Sequence, residues 1–198
     1  MASERLQPRC QLPEDLVSIL DDLGKTETDA RQLVESLTDA QLNWQPAAGK
    51  TWSIAQCLDH LAKTNTFYTE AMRCAVRRTV PGARPRRGRI QPGWLESQFI
   101  KSIDAPARRK FRAPRKVIPA GFRTGVEVLA AFCESHQEMR SLIAECGDLD
   151  LNTVRFKSPF VWAARFTLGT GFLLIAAHER RHLGQAKQVR FLIQAPAV

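Results

Sequence analysis

The sequence predicts an all-α protein, a four-helix bundle with long crossover connections. Three observations lead there. Four long stretches repeat apolar residues at helical spacing and carry capping signals, long irregular segments join them, and no convincing strand alternation occurs. A chain of 198 residues has the length of one domain with a proper core.

The first helix is read over residues 13–38. Pro13 suits a first turn, Glu14 and Asp15 favour a helix N-terminus, and Leu16, Ile19, Leu20, Leu23, Ala30, Leu33, Val34 and Leu37 recur at roughly helical spacing. Gly24 weakens the middle of this stretch. Residues 37–52 form a connection with a short helical turn before Pro46. The second helix starts near Ser53, where Ser53-Ile54-Ala55-Gln56 has capping-box form, and runs to about Val80, ahead of Pro81-Gly82. On a wheel of about 100° per residue, Cys57, Leu61, Thr64, Phe67, Tyr68 and Ala71 gather around His60. Asp59, Lys63, Thr66, Glu70 and Arg73 take the opposite side, so His60 stands at the margin of the buried face.

Residues 81–123 hold six of the chain's 11 prolines and read as a basic, Pro/Arg-rich crossover with one short helix near Trp94–Ile103. The third helix has the clearest start: Thr124-Gly125-Val126-Glu127 is a capping box, and Gly147 is a stop. Its core stripe is Val128, Leu129, Phe132, His136 or Met139, Leu142 and Ile143. A second loop over 148–170 leads to the fourth helix, Gly171 to about Ile193.

Several function classes are excluded early. The first residues carry charges where a secretory signal needs an apolar run, and no stretch approaches the ~18 apolar residues of a membrane span. The five cysteines (Cys10, Cys57, Cys74, Cys133 and Cys146) are odd in number and lack C-x-x-C spacing, which fits reduced thiols in a cytoplasmic protein. Cys57, nearly one turn from His60, reads as a small apolar filler.

The chemistry concentrates in AAHERRHLGQ, residues 176–185. His178, Glu179 and His182 spell H-E-x-x-H, the zinc signature of many metalloproteases. On the wheel His178 and His182 lie inside the stripe of Leu174, Ile175, Ala186, Val189, Leu192 and Ile193, one turn apart. Two imidazoles so stacked can share one metal ion; the alternative is two buried histidines satisfied by core hydrogen bonds. A protease of this type takes a third ligand downstream, and residues 183–198 contain no Asp, Glu or His. Further ligands must come from upstream, where His60 and His136 are the remaining histidines. His60 can reach a bundle interior, whereas His136 lies in a polar stretch beside Gln137 and Glu138. A His60, His178, His182 site offers three neutral nitrogens and an open position, as catalytic sites do; imidazoles suit Zn, Ni, Fe and Cu alike.

Three segments, TWSIAQCLDHLAKTNTFY (51–68), FRAPRKVIPAG (111–121) and GFLLIAAHERRHLGQAKQV (171–189), resemble the DinB/YfiT-like metalloenzyme family. The first is similar to its W-S-x-x-x-x-x-x-H-L helix and the last to its H-x-x-x-H helix, in the right order over about residues 14–193. The resemblance implies a four-helix bundle with His60, His178 and His182 as ligands of a divalent metal. It further implies a small-molecule substrate and a transferase or hydrolase acting with a low-molecular-weight thiol; dimers are common in the family. A thiol transferase needs its cofactor sulfur as thiolate, and a hydrolase needs a water of lowered pKa; metal binding serves either. Glu179, the nearest titratable group, is the candidate catalytic residue: it either accepts a proton at the metal or shapes the helix through an ion pair, the second role ranking first. Gln56 and Tyr68 flank His60 as candidate pocket residues.

Two rival readings remain open. From Arg73 to Arg123 there are 15 Lys/Arg against Glu96 and Asp104, a net of +13, while the remainder has 14 basic and 18 acidic residues, a net of −4. The cluster Arg77, Arg78, Arg84, Arg86, Arg87 and Arg89 reads first as a solvated loop, second as a holder of an anionic ligand, and third as a nucleic-acid surface. The other rival is a metal-binding protein without catalysis.

Overall fold

The protein is described by a computed structural model covering residues 12–46, 49–79, 85–104 and 112–194. The elements run α1 (Glu14–Glu35), α2 (Asp39–Asn43), α3 (Ile54–Arg77), α4 (Trp94–Ile103), a 3-10 turn (Arg115–Val117), α5 (Gly125–Glu145), β1 (Arg155–Lys157), β2 (Arg165–Thr167) and α6 (Leu168–Gln194). The expected capping boxes form. Ser53 Oγ accepts from Gln56 N at the start of α3, and Thr124 Oγ1 accepts from Glu127 N at the start of α5.

α1 lies against α5 and α6, and α3 lies against the same two helices. The diagonals of the bundle are therefore α1/α3 and α5/α6. Each diagonal pair is consecutive among the long helices, so its connection must cross the end of the bundle, whereas the longest link, between α3 and α5, joins packed neighbours.

α1 forms as read and is continuous through Gly24, where an added Cβ would meet nothing. Two expectations need correction. The segment read as a loop over 148–170 contains a short antiparallel hairpin, with Arg155, Phe156 and Lys157 opposite Thr167, Phe166 and Arg165. Three-residue strands offer too little alternation to see in sequence, yet buried Phe156 and Phe166 anchor the pair in the core. α6 also starts at Leu168, three residues before Gly171.

The core has two apolar storeys. One collects Leu16, Ile19 and Leu23 with Met72, Leu142 and Phe172; the other collects Ala30 and Leu33 with Leu58, Phe132 and Leu183. Between them lies a polar floor, to which every long helix supplies a buried polar residue: Thr26, Asn65, His136 and Glu179.

Candidate metal centre

α3 and α6 are packed neighbours, and this contact brings together histidines far apart in sequence. The ligand-capable nitrogens of His60, His178 and His182 all lie within 4.8 Å of one another. His60 Nε2 is 3.2 Å from His178 Nε2. Metal–imidazole bonds of about 2.0–2.1 Å would place two ligand nitrogens of a tetrahedron ~3.3 Å apart, so the closest pair is already at ligand spacing. The three donors are all imidazole nitrogens, and no carboxylate of the described residues joins them. The residues present thus fit a divalent metal with an open coordination position.

His60 is buried, deeper than the marginal position read from the wheel, while His178 and His182 are half-buried. The His60 Nδ1–H donates to the Val117 carbonyl at 2.7 Å. A carbonyl can only accept, so this bond fixes the tautomer and leaves the His60 Nε2 lone pair facing the other two rings. Burial lowers the His60 pKa. Burial also takes His178 well below its ordinary value, with repulsion from His182, His60 and Arg181 adding to it. His182 is lowered to about 3 by burial, then by the charges of His60 and Arg181. All three rings are therefore neutral near pH 7, the form that binds metal.

Sequence reasoning missed two functional neighbours and misplaced a third. Trp52, half-buried just before the Ser53 cap, stacks on His182 at 5.5 Å between centroids and lies tilted on His60 at 4.7 Å. Val117 arrives on residues 112–123, a strap bracketed by Pro114 and Pro119 that crosses α3 beside His60. Asp59, placed on the solvent side by the wheel, is 2% exposed beneath that strap. Burial alone would raise its pKa, but hydrogen bonds from Lys63, the Ala120 amide and Arg123 outweigh this and lower it.

Glu179, the candidate catalytic residue, lies fully buried in the polar floor. Its Oε2 accepts from Thr26 Oγ1 at 2.7 Å, and its Oε1 accepts from Asn65 Nδ2 and His136 Nε2, each at 2.8 Å. His136, read from its polar surroundings, is likewise fully buried, its second ring nitrogen 3.7 Å from Glu27. The other candidates also have clear places. Gln56 serves the α3 cap and accepts from Gln45. Tyr68 packs edge-on against Phe156 and Phe160 in the opposite storey. Cys57 is a buried filler whose thiol is pushed up to about 12 by burial. Cys57, Cys74, Cys133 and Cys146 are free thiols, and Cys10 lies outside the described residues.

Of the arginine cluster, Arg86 forks onto Asp15 and Arg89 pairs with Glu14, so both are tied to the start of α1. Arg84 lies outside the described residues. No helix among the described residues is long and apolar enough to cross a membrane.

Comparison with known proteins agrees with this architecture. YfiT from Bacillus subtilis, described as "a probable metal-dependent hydrolase with an unusual four-helix bundle topology", matches with a TM-score of 0.58 over 94% of this chain and 93% of its own, at 16% identity. Identity that low shows the shared fold alone. No curated protein matches the sequence. The family model of the DinB superfamily matches residues 22–186, from within α1 to within α6, and includes all three clustered histidines. The chain belongs to the DinB superfamily.

Proposed function

We propose that the protein is a divalent-metal-dependent enzyme, with His60, His178 and His182 as its metal ligands and a small molecule as substrate. One observation carries this reading: three neutral imidazoles from two helices converge at ligand spacing with no carboxylate among them. A divalent ion bound there supplies Lewis acidity toward whatever enters its open position. The chain's own residues do the rest. Val117 holds the His60 tautomer, and Trp52 covers one side of His60 and His182.

The reaction class is hydrolysis or transfer from a low-molecular-weight thiol. The fold shared with a protein described as a probable metal-dependent hydrolase supports the first, and the second rests on what the resemblance of the sequence motifs to the DinB/YfiT-like family implies. In this reading Glu179 is not the proton acceptor. Its oxygens are engaged by Thr26, Asn65 and His136, and its role is to key four helices together.

Metal analysis of protein purified without a histidine tag tests the site. One equivalent is expected in the wild type and little in His60→Ala or His182→Ala; stoichiometric metal retained in both variants removes the reading. A screen of small thiols against electrophiles, run beside ester and amide substrates with Zn, Ni and Fe, then separates transfer from hydrolysis.

A further inference from the structure

We propose that Asp59 is a positioning residue for the metal centre: it latches the 112–123 strap onto α3 and thereby holds the Val117 carbonyl on His60. The proposal rests on the metal reading above. Asp59 lies on the polar side of α3, next in sequence to a ligand, yet it is 2% exposed. Burying a carboxylate is costly unless donors surround it. Here three do. Asp59 Oδ2 accepts from Ala120 N at 2.8 Å and from Lys63 Nζ at 2.7 Å, and Oδ1 accepts from Arg123 Nη1 at 2.9 Å. Two of these donors belong to the strap, and Lys63 reaches it too, donating to the Ile118 carbonyl at 3.2 Å.

The strap has one fully buried contact point near the centre. Val117 is 1% exposed and its carbonyl receives the His60 Nδ1–H, while Arg115, Lys116 and Ile118 around it face outward. Asn43 clamps the far end, donating to Arg123 O at 2.7 Å and accepting from Arg123 N at 3.1 Å. Asp59 therefore sits between the end clamp and the carbonyl that orients a ligand. An outer-shell hydrogen bond of this kind fixes the ring and raises the basicity of its metal-binding nitrogen.

The test uses Asp59→Asn, which keeps the shape and removes the charge, with Arg123→Gln as a second variant should the first fold poorly. Zn²⁺ affinity is measured by competition with a chromophoric chelator. Histidine ¹⁵N NMR of the metal-free protein reports the His60 tautomer. The expected result is a loss of about 10–100-fold in affinity for each variant. The double variant should bind no more weakly than Asp59→Asn alone, because both act through the strap. The fixed Nδ1–H signal of His60 should give way to an averaged one. A lowered melting temperature with unchanged Zn²⁺ affinity and unchanged tautomer overturns the proposal and leaves Asp59 as structural glue. A wild-type chain that binds no metal overturns the metal reading and the positioning role that rests on it. The tautomer comparison judges the latch by itself.

Discussion

At the scale of residues, the three imidazoles make a testable statement about acid. Each has its pKa lowered in the folded protein, chiefly by burial. Below the ordinary value of about 6.5 the unfolded chain takes up protons that the folded one refuses, so stability falls as pH falls. For His182 this window runs down to about 3. The urea midpoint of metal-free protein should decline from near-neutral pH downward, and His182→Asn should flatten the decline; an equally steep decline in the variant would contradict the assignment. Trp52 offers a second observable. Its ring lies on His60 and His182, whereas Trp94 and Trp162 are largely exposed. Ni²⁺ or Co²⁺ should quench part of the intrinsic fluorescence, and Trp52→Phe should abolish most of that quenching. Quenching of full size in the variant would place the ion elsewhere.

At the scale of elements, the start of α6 tolerates little change. A Cβ on Gly171 would meet Met72 Sδ at 2.7 Å and the Phe156 ring at 2.8 Å. Gly171→Ala should therefore cost about 1–3 kcal/mol in denaturant unfolding through overpacking, despite the better helix propensity of alanine. Thr124→Ala should cost about 1 kcal/mol through loss of the α5 cap, with the site unaffected. The long helices were readable because period and caps agreed, as at Ser53–Gln56 and Thr124–Glu127. His178 and His182 were readable for the same reason, their i, i+4 spacing lying within an apolar stripe. Residues 111–121 stood out by resemblance, but their role as a strap was not readable, because the backbone there is irregular and its effect depends on burying Asp59, a tertiary event invisible to a helical wheel. The Glu179–His136 contact was hidden likewise, its partners standing on helices that only the folded bundle makes neighbours across its core.

At the scale of the molecule, the polar floor between two apolar storeys sets how the helices align. Removing one member strands the others: Glu179→Ala should destabilise by about 3–5 kcal/mol, and Glu179→Ala with His136→Ala should cost less than the sum of the single changes. Urea unfolding of the four proteins of this cycle measures it, and strict additivity would deny the coupling. Metal should act on the same equilibrium. Free ion at about 100 times its Kd adds about 2.7 kcal/mol, so a chelator should lower the melting temperature of wild type and leave His60→Ala unmoved. The distance along the chain between the histidines has a consequence for assembly. The ring nitrogens that stand 3.2 Å apart belong to residues 118 positions apart, His60 on α3 and His178 on α6. Before those helices meet, α6 alone offers an ion only His178 and His182, so the three-nitrogen set exists only in the assembled bundle. On the proposed metal reading, capture by all three rings waits for α6 to seat against α3 and then slows their separation.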